Sequence, residues 1–327
     1  LQVKKLGADK IISINFDADA IDEESNIMDI VMKTLDIMGN KISEKAIEKS
    51  DLVLTVPSDK AGLLDIESVS VVVPSSIGGY TVASLGETAF QSRIYLVDVT
   101  LPSTIKNIHR QAFLGARMLT TINVDASNPY FKAEDGILYT KDMKEIVYCP
   151  PKNRTSYSCP ASLEKIGDYA FYGHKNSGVS TITFNEGLKE IGTKSFYENT
   201  GLTTLRFPST LRKIGNGAFN CITASGCIQK VEFNDGLEVI GDSAFVGAYF
   251  KDKFSLPSSV KEIGSYAFAN CTAITDFEFP KSLETLGGNA FAGATGILRI
   301  TIEEGATNFV VKNNLLYLSR GGKGYGT

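Results

Sequence analysis

Phenylalanine returns at a nearly fixed interval along this chain. Phe90, Phe113, Phe171, Phe196, Phe219, Phe245, Phe268 and Phe291 stand 23, 58, 25, 23, 26, 23 and 23 residues apart. Five residues before each stands Leu or Ile: Leu85, Ile108, Ile166, Ile191, Ile214, Ile240, Ile263 and Leu286. Gly follows that residue in seven of the eight cases, with His109 the exception. The residue just before the Phe is Ala in seven cases and Ser195 in one. A period in the range of about 20–29 residues belongs to chains that wind into stacked coils. One such coil cannot bury its own apolar face, but neighbouring coils bury each other's.

Each unit has a physical reading. A short alternating stretch comes first, as in "TITF", "TLRF", "KVEF", "KFSL", "DFEF" and "RITI". Alternation turns Ile182/Phe184, Leu205/Phe207, Val231/Phe233, Phe254/Leu256, Phe277/Phe279 and Ile300/Ile302 inward. Pro208, Pro257 and Pro280, or the runs at Asn185 and Asn234, then turn the chain. Leu188, Leu211, Leu237, Val260 or Leu283 points inward again. The I-G-x-x-A-F segment brings the chain back, its Gly expected to supply a tight bend and its Ala close packing. The Phe contributes the largest buried area of the coil. These columns of Phe, Ile and Gly are expected to be scaffold.

Composition narrows the function classes. Hydrophobic residues make up 43% and charged residues 21% of 327, ordinary for a folded chain with full cores. No apolar run reaches the roughly 18 residues of a membrane span. Net charge is −4 without a basic block, which argues against a nucleic-acid footprint. The charge is uneven: residues 1–73 hold 14 Asp and Glu against 8 Lys, a net of −6. Two modules are therefore expected. The cysteines, Cys149, Cys159, Cys221, Cys227 and Cys271, lack C-x-x-C spacing, and His109 and His174 lie far apart. No zinc site or other metal or cofactor site is expected, and the cysteines read as free thiols packed as small hydrophobes. The start at Leu1 and the end in "SRGGKGYGT" read as a fragment of a longer product, so a missing signal peptide carries no information.

"PSSVKEIGSYAFANC" (257–271), "PASLEKIGDYAFYG" (160–173) and the inserted "NPYFKAEDGILY" (128–139) resemble the BspA-type leucine-rich repeats of bacterial surface proteins. The resemblance covers residues 68–319. It implies a right-handed leucine-rich-repeat solenoid, one β-strand per ~23-residue coil, and a domain over 68–327. It further implies a non-catalytic protein-interaction or adhesion module, extracellular or at the cell surface, whose partner is a protein or other host-surface ligand. Within the interval between Phe113 and Phe171, Ile137–Tyr139 and Ile146–Tyr148 flank a polar turn and read as a β-hairpin inserted near 127–151. "NFVVKNNLLYLS" (308–319) begins a second copy, which is expected to stop before its return strand.

Residues 1–67 lack the repeat. "KIISINFD" (10–17) and "DLVLTVP" (51–57) read as strands. Between them Ile27, Ile30, Val31, Thr34, Leu35, Met38 and Ile42 fit one stripe of a helix within 26–51. Strand, helix, strand is an α/β fragment, with the strands parallel. "LGADKIISINFD", "TLDIMGNKISE", "SDLVLTVPSD" and "AGLLDIES" resemble the C-terminal part of a bacterial patatin-like phospholipase domain. Such enzymes use a Ser in G-x-S-x-G and an Asp in D-G-[GA]. Neither motif occurs here; "GDSAF" (241–245) lacks the closing Gly, and "DGI" (135–137) and "DGL" (235–237) lie inside repeats. The resemblance therefore implies a dyad upstream of Leu1, no catalytic residue in this chain, and lipid as a partner only if that upstream half exists. The second reading of the segment is an independent cap, since solenoids need covered ends.

Alternation also fixes the outward residues. One column is Thr183, Arg206, Glu232, Ser255, Glu278 and Thr301; its neighbour is Thr181, Thr204, Lys230, Lys253, Asp276 and Arg299. Extended solenoid faces bind partners, so this sheet face is the candidate site. It has no aromatic anchor.

Overall fold

The computed structural model describes residues 2–6, 11–15, 52–55, 69–319 without 153, 175–177, 222–226 and 251–254, and 324–325. It is a β-solenoid of about ten coils of roughly 23 residues. Among the described residues there is no helix. The chain forms two compact units, Leu1–Lys141 and Asp142–Thr327.

In the second unit each coil has three sides; the first is hydrogen-bonded in separate pairs of strands, the other two from coil to coil in succession. The first side carries the expected alternating strands. Ser156–Ser158 pairs with Thr181–Thr183, Thr204–Arg206 with Lys230–Glu232, and Asp276–Phe279 with Arg299–Ile302, all parallel. The second side adds a strand beyond the one expected per coil. Glu145–Tyr148, Lys165–Ile166, Glu190–Ile191, Lys213–Ile214, Val239–Ile240, Glu262–Ile263 and Thr285–Leu286 pair in parallel, one after another. Ile166, Ile191, Ile214, Ile240 and Ile263 fall in register and are wholly buried. Two residues per strand suffice because each bonds to a coil above and a coil below.

The A-F turn forms the third side. The Phe171 N–H donates to the Ser195 carbonyl at 2.7 Å, Phe196 to Ala218 at 2.8 Å, Phe219 to Ala244 at 2.8 Å, Phe245 to Ala267 at 2.8 Å and Phe268 to Ala290 at 2.7 Å. The rings stack in the same order. Phe196–Phe219 is 5.1 Å between centroids and 3° from parallel, and Phe219–Phe245 is 5.4 Å and 11°. Polar residues staple the corners. The hydroxyls of Thr210, Ser259 and Ser282 donate to the carbonyls of Leu188, Leu237 and Val260 in the coil before, at 2.9, 2.7 and 2.7 Å. The "P-S-T", "P-S-S" and "P-K-S" turns thus satisfy backbone groups that the strand ladder leaves unpaired.

The column glycines have a different reason from the bend expected of them. Gly192, Gly215, Gly241, Gly264 and Gly287 are not left-handed; a Cβ at any of them would run into the preceding coil's backbone. The left-handed positions lie elsewhere, two residues before the Phe: Tyr169, Lys194, Gly217, Ser243, Tyr266 and Asn289.

In the first unit Val69–Val72, Leu96–Leu101 and Thr121–Val124 form one parallel side. Ser84–Leu85 and Asn107–Ile108 begin another, with Phe90 stacked on Phe113 at 5.4 Å. Leu52–Thr55 pairs parallel with Ser84–Leu85, Ile11–Asn15 parallel with Leu52–Thr55, and Gln2–Leu6 antiparallel with Ile11–Asn15. Both expected strands and their parallel sense are present; the expected helix within 26–51 lies outside the described residues. Phe131–Glu134 and Ile137–Thr140 make a hairpin around Asp135 and Gly136, both left-handed as a two-residue type I′ turn requires. The second copy repeats it with Phe309–Lys312 and Leu315–Leu318 around Asn313 and Asn314. Its return strand, expected to be missing, is present: Gly324–Tyr325 pairs antiparallel with Leu316 and Tyr317. Two residues of edge backbone were too short a stretch to show in the apolar pattern.

Candidate functional site

In the paired strands the expected outward residues stand side by side. Thr204 and Arg206 stand opposite Lys230 and Glu232, and Asp276 and Glu278 opposite Arg299 and Thr301. Thr181, Thr183, Thr204, Arg206, Ser255, Asp276, Glu278 and Arg299 are exposed; Lys230, Glu232 and Thr301 are partly covered. Lys253 lies outside the described residues. The charges at the centre of this face are paired. Arg206 Nε meets Glu232 Oε2 at 2.8 Å and Lys230 Nζ meets Glu232 Oε1 at 3.3 Å. Lys230 and then Arg206 hold the Glu232 carboxyl below the usual carboxylate range. Such exposed pairs add little stability, but they fix the positions of the charges offered to a partner.

On the second side, opposite charges alternate across the coils. Glu164 bridges Lys144 at 2.8 Å and Lys189 at 2.7 Å, which hold its carboxyl down at about 2. Glu190 lies between Lys165 and Lys213, and Glu238 meets Lys261. In this ladder each of five lysines meets one of three glutamates.

The third side carries a cluster missed by the strand-by-strand reading. Tyr172 and Tyr197, each just after its Phe, stack at 5.1 Å and 5° across adjacent coils. Tyr169 tilts against Tyr172 at 5.7 Å, and Lys194 Nζ sits 5.9 Å from the Tyr169 centroid and 5.6 Å from that of Tyr197. The signal was available in "AFYG" and "SFYE", two successive units with Tyr at one position.

The cysteine expectation needs correction. Cys221 and Cys227 form a disulfide, with Cα atoms 6.5 Å apart. The coil holding them is three residues longer than 23, and a pairing of two cysteines within one coil leaves no periodic trace. Cys149, Cys159 and Cys271 are free thiols, and burial pushes each up to about 12. These thiols stay protonated and unreactive at neutral pH. Among the described residues no group of His, Cys, Asp and Glu could hold a metal ion, and no helix is long and apolar enough to cross a membrane.

His174 is buried in the second unit, in T-shaped contact with Phe171. Its Nε2 lies 2.9 Å from the Cys149 carbonyl, and its Nδ1 accepts the Val179 N–H at 3.4 Å. Those partners require the neutral ring with the proton on Nε2. Burial lowers its pKa to about 4, the Cys149 carbonyl opposes this, and Arg154 adds to it. Between the unfolded value of about 6.5 and the folded value, only the unfolded chain binds the proton. Stability therefore falls as pH drops from about 6.5 toward 4, by up to about 3 kcal/mol. Urea unfolding at pH 7.5 and 4.5 should show this loss, and His174→Gln should flatten the slope.

The profile of the BspA type leucine rich repeat region matches residues 70–150, 141–226 and 223–317, in six copies. A leucine-rich repeat protein from Eubacterium ventriosum has a similar fold, with TM-score 0.56, 20% identity, 83% of this chain covered and 74% of that one. The pneumococcal vaccine antigen PcpA aligns with TM-score 0.49 and 20% identity over 81% of this chain, which spans 54% of that antigen. A leucine rich cell surface protein from Faecalibacterium prausnitzii aligns with TM-score 0.46 and 18% identity, over 79% of this chain and 65% of that one. No curated protein matches the chain. With three coil sides laid in register and a family profile spanning most of its length, the chain belongs to the BspA-type leucine-rich repeat family.

Proposed function

We propose that this chain is a non-catalytic protein-interaction module, displayed outside the cell, that engages a protein or host-surface ligand through the polar sheet face. One observation carries the reading. The repeated Phe column and six of the eight Leu/Ile column residues are buried, with Ile108 and Leu286 partly covered, while the outward columns at Thr181–Thr183, Thr204–Arg206, Lys230–Glu232, Asp276–Glu278 and Arg299–Thr301 differ from coil to coil. Residues that fold the chain are uniform; residues that face outward vary freely, as a recognition surface requires. The Cys221–Cys227 disulfide supports an oxidising compartment.

Charge removal on this face tests the proposal. Arg206→Ala, Lys230→Ala and Arg299→Ala together are expected to weaken capture on a panel of immobilised extracellular-matrix and serum proteins by at least about tenfold. Unchanged capture removes the sheet face.

For residues 1–67 we propose a cap, supported by the pairing of Leu52–Thr55 with Ser84–Leu85. The alternative, the end of a patatin-like lipid acyl hydrolase with the repeats as docking arm, draws on the parallel pair Ile11–Asn15 and Leu52–Thr55. The sequence upstream of Leu1 separates the two: G-x-S-x-G followed by D-G-[GA] would favour the hydrolase. Ester turnover by this chain, abolished by one Ser substitution, would overturn the non-catalytic reading.

A further inference from the structure

Two residues before six of the eight Phe the backbone is left-handed. Gly217 and Asn289, which tolerate positive φ, occupy the position in two coils, and Ser243 and Tyr266 in two others. Tyr169, at φ 60°, and Lys194, at φ 50°, occupy it in two adjacent coils, where a bulky side chain costs energy and the ladder gains nothing. These strained residues are the ones that meet Tyr172 and Tyr197 in a cluster of three half-buried tyrosines and the exposed Lys194. Gly217 leaves the space that Lys194 uses, since a Cβ there would lie 3.2 Å from Lys194 Cγ.

The chemistry of the cluster is one-sided. Three phenol hydroxyls and an ammonium can all donate, and the ammonium cannot accept. Lys144, Lys165, Lys189, Lys213, Lys230 and Lys261 each meet a glutamate, whereas Lys194 has no carboxylate partner among the described residues. The neighbouring Asp168 turns its Oδ1 to the Thr193 N–H at 2.8 Å. Burial and then the charge of Glu198 raise the Tyr172 phenol, and Lys194 is the cation of the cluster. The facing sides of the Tyr172 and Tyr197 rings cover each other. A sugar ring, which stacks on an open aromatic face, finds none between them. Aliphatic side-chain stems pack well against ring edges, and tyrosine is enriched where proteins bind proteins.

We infer that Tyr169, Tyr172, Lys194 and Tyr197 form a second interaction surface, which takes an acidic polypeptide segment by seating a Glu or Asp carboxylate at Lys194 between the phenols. This surface is separate from the sheet face and stands or falls apart from it.

The test uses the full chain with three immobilised probes: poly-L-glutamate, polygalacturonate and poly-L-lysine. Poly-L-glutamate is expected to bind the chain, and Lys194→Asn to weaken that binding by at least about tenfold, as does Tyr172→Ala with Tyr197→Ala. Asn suits a left-handed residue, so Lys194→Asn should leave the melting temperature equal or higher. A merely structural lysine would move both readouts the same way. Lys261→Ala, which removes an equal charge from another side, should leave binding unchanged. Absence of poly-L-glutamate binding, binding that survives Lys194→Asn, or equal binding to polygalacturonate or poly-L-lysine would overturn the inference. None of these outcomes bears on the sheet-face variants and their protein panel.

Discussion

Phe219→Ala is expected to destabilise the Asp142–Thr327 unit by about 4 kcal/mol, within the range for emptying a fully packed aromatic site. Phe219 is 1% exposed and lies between Phe196 at 5.1 Å and Phe245 at 5.4 Å, with Phe207 tilted onto it at 5.7 Å. The loss is counted at two coil interfaces, because a solenoid is held by contacts between neighbours. Each stacked pair also adds about 0.5–1.5 kcal/mol beyond its buried area. The backbone cannot close the hole, since the Phe219 and Phe196 N–H groups hold the coils apart at ladder spacing. Urea denaturation should show the midpoint falling in proportion. A loss under about 1 kcal/mol would mean that the column is not continuous. Phe219→Leu should cost much less, because most of the volume is kept.

Gly215→Ala should cost about 3 kcal/mol although it adds a single carbon. Its Cβ would stand 2.7 Å from the Gly192 carbonyl carbon and 2.8 Å from the Thr193 nitrogen, all backbone atoms. No rotamer relieves that contact. The coils must separate, which lengthens the 2.7 Å bond from the Gly215 N–H to the Ile191 carbonyl. Gly288 is the control: a Cβ there has nothing within 4 Å, so Gly288→Ala should be near neutral in the same thermal melt. Equal melting temperatures for the two variants would show that the coils are not in close contact at this column.

Much of the fold was legible in the letters because one coil's burial problem recurs in every coil. The Phe and Ile columns, the alternating strands and the outward residues at Thr204, Arg206, Lys230 and Glu232 all follow from the period and from alternation. The candidate sheet face was legible for the same reason: what does not point inward must point out. The tyrosine and lysine cluster was not, although its letters were in view. It joins positions two before and one after the Phe in different coils, and their meeting depends on left-handed backbone at Tyr169 and Lys194. Hydrophobic pattern does not encode the sign of φ.

The sequence by itself determined which side chains form the core, how many residues make a coil, and which family the coils belong to. A repeat of apolar letters has only one economical way to leave water, namely against copies of itself. Tertiary structure decided why the column glycines are glycine, that Cys221 and Cys227 are joined, that His174 must stay neutral, and which exposed residues become neighbours. Those outcomes rest on distances between coils and on turn geometry, which arise only when one coil is laid against the next.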